Sequence, residues 1–297
     1  MMNEKNDAML SELARCRAEI DQRLAEFFTE DKSYTALLES MRYSLLSGGK
    51  RIRAVLCMKF CEAVGGDPGA ALDAACAIEM LHAYTLIHDD LPCMDDDDMR
   101  RGKPSNHIEF GEFTATLAGD ALQAAAFDTI LSSNLPPDAV VIMARILAVA
   151  AGPHGICGGQ YLDLAGEGKG LSINELTEIY FLKTSALIAA SAILGVVAAG
   201  GDEGQIEAAD EYACAVGLAF QVRDDVLDST STADVLGKPI GSDSVNKKTT
   251  FASLLGVDAC EKLIEIETEK AIAALDGKFD DAGFLVWLAN YLSKREK

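Results

Sequence analysis

The chain has 297 residues, 49% hydrophobic and 25% charged, with 47 acidic against 26 basic side chains and a net charge of −21. So large an excess of acid excludes the classes that grip phosphate backbones or anionic lipid through Lys and Arg, and no nucleic-acid partner is expected. The apolar fraction excludes an acidic disordered chain, and a chain this long buries about three quarters of its surface.

The start, Met1-Met2-Asn3-Glu4-Lys5-Asn6-Asp7, lacks the basic-then-apolar run of a signal peptide, so a cytoplasmic location is expected. None of the eight cysteines forms a CxxC pair, which fits reduced, structural thiols. Apolar residues recur at helical spacing from end to end, Ala is abundant, and β-branched alternation is scarce. The expectation is an all-α, single-domain bundle over residues 1–297, with ten or more helices around a central cavity. Ser172-Ile173-Asn174-Glu175 has the capping-box pattern and should open one long helix running to about Val197. Residues 184–201 carry no charge and reach the lower length limit of a membrane span, but are rich in Ala, Gly and Ser. They are expected to form a closely packed buried helix, and no membrane span is predicted. The polar stretch 229–248 is long for a loop inside a compact domain and is expected to be a lid.

Two acidic motifs stand out. The first is Asp89-Asp90-Leu91-Pro92-Cys93-Met94-Asp95-Asp96-Asp97-Asp98, at the end of an apolar helical run and followed by Arg100-Arg101-Gly102-Lys103. The second is Gly217-Leu218-Ala219-Phe220-Gln221-Val222-Arg223-Asp224-Asp225-Val226-Leu227-Asp228. On a helix, Gln221, Asp224, Asp225 and Asp228 fall within an arc of about 100°, and Gly217 shares that stripe, where a ligand or another helix could come close. Two carboxylate clusters of this kind suit hard divalent ions that are completed by phosphate oxygens and water. The spacing leaves one ligand open. Asp95 stands six residues from Asp89, about 240° round a helix, and joins it only if the chain loops out at Pro92, whereas Asp96 is in phase without a bulge. A diphosphate ligand also needs local cations. Ser47-Gly48-Gly49-Lys50-Arg51-Ile52-Arg53 offers three after a small turn, and His82 lies two helical turns before Asp89.

These segments, taken with Leu117-Ala118-Gly119-Asp120, Gly155-Ile156-Cys157-Gly158-Gly159-Gln160-Tyr161-Leu162-Asp163-Leu164, Lys183-Thr184-Ser185 and Leu236-Gly237-Lys238-Pro239, resemble the trans-isoprenyl diphosphate synthases, most closely the bacterial farnesyl diphosphate branch. The motifs run in family order over almost the whole chain. The resemblance implies a Mg²⁺-dependent prenyltransferase that condenses isopentenyl diphosphate head-to-tail with dimethylallyl or geranyl diphosphate to give farnesyl diphosphate. Geranylgeranyl diphosphate synthesis and a non-catalytic regulatory subunit are the alternatives. By matching position, Asp89, Asp90, Asp95, Asp224, Asp225 and Asp228 hold Mg²⁺, three ions per site with substrate bound and Mn²⁺ as the alternative metal. Arg100, Lys183 and Lys238 contact the allylic diphosphate. Gly49, Lys50, Arg53, His82 and Arg101 take isopentenyl diphosphate, Thr184 and Gln221 line the reacting carbons, and Lys248 closes over the site. Tyr84 and Thr85 are implied to set product length, and the active form is implied to be a homodimer. Ala54, Lys247 and Phe251 depart from the family's common Pro, Gly and Tyr. A class I terpene cyclase shares the aspartates but needs no second diphosphate pocket, which argues against it.

Overall fold

A computed structural model describes residues 2–230 and 248–295. Its helices are α1 (Met2–Ala25), α2 (Thr35–Leu45), α3 (Ile52–Ala63), α4 (Leu72–Asp89), α5 (Asn106–Phe110), α6 (Glu112–Leu131), α7 (Pro137–Ala151) and α8 (Ile156–Gly166), followed by α9 (Ile173–Tyr180), α10 (Ala186–Ala198), α11 (Glu203–Thr230), α12 (Phe251–Leu255), α13 (Val257–Ala274) and α14 (Gly283–Ser293). Pro68–Ala71 is a single 3₁₀ turn leading into α4. Among the described residues the only sheet is a two-residue hairpin, β1 (Met99–Arg100) with β2 (Lys103–Pro104), in register Met99↔Pro104. Its turn, Arg101-Gly102, has both residues at positive φ, as a type I′ hairpin requires.

The bundle is built on α4 and α10. Both are apolar on every side and buried nearly throughout, which places them inside the assembly. α4 packs against α3 and α6, and α10 against α3, α7 and α11. Gly195 lets α10 approach α3 closely: a Cβ there would fall on the Cys57 carbonyl. A second, smaller core of Leu176, Ile179, Tyr180, Val222, Val226, Phe251 and Ile264 joins α9, α11, α12 and α13. Truncating one such aliphatic to Ala costs about 2–5 kcal/mol.

Three helical stretches are long and apolar enough to cross a membrane, and two of them, Pro68–Asp89 and Ile173–Ala198, are about 70% buried by the bundle itself. The long helix expected from residue 173 to about 197 is interrupted. Its capping box forms as predicted, with the Ser172 hydroxyl accepting from Glu175 N–H and the Glu175 carboxylate accepting from Ser172 N–H. The middle, Phe181–Ser185, is instead a π-turn. Such a turn inserts one residue into the helical ladder, and insertions of this kind gather at functional sites.

Candidate active site

α4 ends at its aspartates, and Asp89 and Asp90 then part company. Asp90 is 2% exposed, and Arg100 on the hairpin grips both its oxygens. Arg100 also reaches Asp97 at 3.2 Å. Asp89 faces the cleft, and burial pushes its carboxyl up to about 6 against the pull of Lys183. Beyond Leu91 the chain loops out through Pro92, and the Asp95 N–H returns to the Asp89 carbonyl at 2.9 Å. The loop at Pro92 thus brings Asp95 back toward Asp89. Asp95 sits beside Asp89 with Oδ1 buried and lacking a hydrogen bond, the Lys248 ammonium being 3.6 Å away. Asp96, at φ +52°, is exposed.

Across the cleft, α11 presents Gln221, Asp224 and Asp228. Asp224 is paired with Arg295 from beyond α14, and that guanidinium lies 3.7 Å over the Phe220 ring. Asp225 is only 4% exposed and is held from behind by the Tyr180 hydroxyl and the Phe251 N–H. The π-turn fills the space between α8 and α11. A Cβ on Gly159 of α8 would stand 2.6 Å from the Lys183 Cα, and one on Gly217 of α11 would stand 2.8 Å from the Ser185 Cβ. The close approach expected at Gly217 is therefore that of the π-turn. This turn aims Lys183 at Asp163, with Nζ donating at 2.5 Å, and sets the Thr184 hydroxyl to donate to Gln221 Oε1 at 3.0 Å. Lys248 lies 3.4 Å from Asp163 and 3.5 Å from Glu167. Burial alone would raise the Asp163 carboxyl, but the two lysines hold it below the usual range.

The cations of the glycine turn divide by role. Arg51 adopts a left-handed backbone (φ +52°) at the mouth of α3 and turns inward to Asp21 at 2.8 Å and Glu79 at 2.9 Å, so it braces the fold. Arg53, the second residue of α3, gathers with His82 and Arg101, while Lys50 lies near Asp224 and Arg295. Arg53 Nε is buried and makes no hydrogen bond among the described residues. Desolvation, then Arg53 and Arg101, hold His82 well below its ordinary range, so its imidazole is neutral. Gly49, at φ +127°, carries no Cβ because the Arg101 guanidinium lies against it, donating to the Gly48 carbonyl.

Among the described residues no three acids, thiols or imidazoles converge closely enough to cage a metal alone. Mg²⁺ takes one or two carboxylates and completes its shell with water and substrate oxygens. The donor set is hard oxygen on facing helices, and the orphaned Asp95 Oδ1 is a ready acceptor. A cavity of about 140 Å³ opens beside Asp163, Lys183, Gln221 and Lys248. Larger grooves, about 580 and 570 Å³, lie on the flanks of α13 away from this chemistry.

Below Asp89, Tyr84 is buried, its hydroxyl 3.3 Å from Cys157 Sγ on α8 and its ring edge-on to His88 at 5.1 Å. The His88 ring fits a notch left by Gly119 on α6. Thr85 is buried and donates to the His82 carbonyl at 2.9 Å. Lys238 and the lid stretch 231–247 lie outside the described residues. Three residues at the site were not singled out from sequence: Asp163, Tyr180 and Arg295. Asp163 lies inside one of the matched segments, which was the available signal; the other two are reached only through the fold.

Residues 34–278 match the model of the polyprenyl synthetase family. Farnesyl diphosphate synthase of Geobacillus stearothermophilus is 40% identical over 93% of this chain and 94% of its own. Geranylgeranyl pyrophosphate synthase 11 of Arabidopsis thaliana, a chloroplastic protein, is 46% identical over 86% of this chain and 74% of its own. The structure of geranyltransferase from Helicobacter pylori, complexed with magnesium and isoprenyl diphosphate, superposes with a TM-score of 0.84 at 32% identity, covering 96% of each chain. The chain belongs to the polyprenyl synthetase family, and its activity is that of a trans-prenyltransferase. The relatives divide between farnesyl and geranylgeranyl products.

Proposed function

We propose that this protein is a Mg²⁺-dependent farnesyl diphosphate synthase that extends dimethylallyl and geranyl diphosphate with isopentenyl diphosphate. Asp89 and Asp95 on one wall, with Asp224 and Asp228 on the other, would hold Mg²⁺ against the allylic diphosphate. Bound there, the metal would neutralise the diphosphate and make it a better leaving group. Lys183 and Lys248 add fixed positive charge where negative charge develops as the C–O bond breaks, and preorganised charge of this kind is a major source of rate. Arg53, Arg101, Lys50 and neutral His82 take the diphosphate of isopentenyl diphosphate, so that its double bond faces the allylic C1. Thr184 and Gln221, already paired, line the reacting carbons. Exclusion of water protects the allylic cation from quenching as an alcohol. The double bond attacks that cation, and the proton then leaves to the departing diphosphate, since no side chain in the cleft is placed as a base.

Product length is carried by Tyr84. It stands five residues before Asp89, about 7.5 Å down the axis, with its ring pinned between Cys157 and His88. A pinned ring there stops the tail at C15. The identity to geranylgeranyl synthases supports C20 as the second reading. Tyr84→Ala should move the product to C20 or beyond, and chromatography of dephosphorylated products reads the change. A C15 product from both proteins would place the floor elsewhere. The working unit is a homodimer joined through α6 and α7, whose outer faces expose Phe113, Leu117, Leu131, Val141 and Val149. Light scattering of the purified chain is the check.

A further inference from the structure

Tyr180 ends α9 and stands immediately before the π-turn that carries Lys183 and Thr184. Its hydroxyl donates to both carboxylate oxygens of Asp225, at 2.9 and 2.8 Å. Asp225 Oδ2 also accepts the Phe251 N–H at 2.7 Å, at the first residue of α12 and three residues after Lys248. The Tyr180 and Phe251 rings pack 5.4 Å apart inside the smaller core, and Phe251 is 2% exposed. One buried carboxylate therefore links the residue that leads into Lys183 and Thr184 with the segment that leads out of Lys248. Its neighbour Asp224, one residue earlier and about 100° round the helix, points to the cleft instead.

We propose that Tyr180 and Asp225 are positioning residues for the allylic half of the site. Their hydrogen bond locks the π-turn to the 248–251 strap, so that Lys183, Thr184 and Lys248 meet the allylic diphosphate as one rigid group. Asp225 on this account acts through the protein and is not a metal ligand. The kinetic consequence rests on the prenyl-transfer reading given above; the link between the two segments does not.

Tyr180→Phe keeps the ring and its packing and removes only the hydroxyl. In the ligand-free protein, peptides covering 181–185 and 249–254 should exchange amide hydrogen faster than in the parent chain, both together. In steady-state assays the same variant should lose about tenfold or more in kcat, the scale of a hydrogen bond to a charged group, and raise KM for the allylic diphosphate. KM for isopentenyl diphosphate and the half-activating Mg²⁺ concentration should stay put, which a general loss of folded protein would not separate from the allylic KM. Asp225→Asn should give the same pattern, and the double variant should lose no more than either single one, because one interaction is being removed twice. Unchanged exchange in either segment overturns the proposal. So does an Asp225→Asn enzyme with a raised Mg²⁺ requirement, or losses that multiply in the double variant. If the parent chain joins no isoprenyl diphosphates, the prenyl-transfer reading fails, and the exchange measurement still decides the positioning role.

Discussion

The two halves of the cleft store charge in opposite ways. On the side of Arg53, His82 and Arg101, desolvation first and then neighbouring arginines lower the proton affinity of each, with Glu79 opposing at Arg53 and Arg101, and Arg53 Nε makes no hydrogen bond among the described residues. On the opposite side each cation already has an acid: Lys183 has Asp163, Lys248 has Asp95, Asp163 and Glu167, and Arg100 has Asp90. The first half keeps desolvated guanidiniums, Arg53 and Arg101, opposed in part by Glu79. The second holds more carboxylates than cations and, on the proposed reading, takes an anion only when divalent cations arrive. On that reading, two substrates that share the same headgroup are told apart by whether metal is needed to hold them.

The largest effect should come from taking metal away from the acid-rich half. Asp224→Ala or Asp89→Ala is expected to lower kcat by several orders of magnitude, roughly the scale of losing a principal electrostatic contact to the leaving group, with the chain still folded. Turnover that persists in chelator would break the contrast between the halves altogether. Next comes the Arg53 half. Arg53→Ala should raise KM for isopentenyl diphosphate about 10- to 100-fold, as expected for a buried charged contact, and leave KM for the allylic substrate nearly unmoved. Equal rises in both would show that the pockets are not separate. The smallest effect is on stability. His82 is depressed in the fold below its ordinary value of 6.5, so below that pH the unfolded chain takes up a proton that the folded chain refuses. Stability therefore falls as pH drops through about 6.5, and His82→Gln should show a shallower decline in thermal melts between pH 7 and 5. Parallel profiles would mean that His82 is not held neutral by the arginines.

Much of this site could be read before folding. The all-α class followed from periodicity, and the stripe of Gln221, Asp224 and Asp228 from helical phase. Gly217 was expected to admit a close neighbour, and the neighbour is Ser185 of the π-turn. What stayed hidden was of two kinds. Adjacent identical residues differ by direction alone: Asp89 and Asp90, or Asp224 and Asp225, are about 100° apart on their helices, and only the fold tells which one Arg100 or Tyr180 holds. The π-turn was invisible for another reason. Residues 173–198 show good helical periodicity throughout, and the inserted residue is imposed by packing against Gly159 and Gly217, which no local preference encodes. The fold-back of the Asp95 N–H onto Asp89 was likewise tertiary.

The two glycines beside the π-turn also bear on how such a chain can change over evolutionary time. Beside the π-turn, Gly159 meets main-chain atoms of Leu182 and Lys183 and Gly217 meets the Ser185 side chain and Cα, at distances that admit no side chain at either position. Around Tyr84 the neighbours are side chains, the thiol of Cys157 and the ring of His88, and each can be exchanged one at a time. On the proposed reading, product size is then adjustable by single side-chain substitutions around Tyr84, while the helix packing against the π-turn stays fixed.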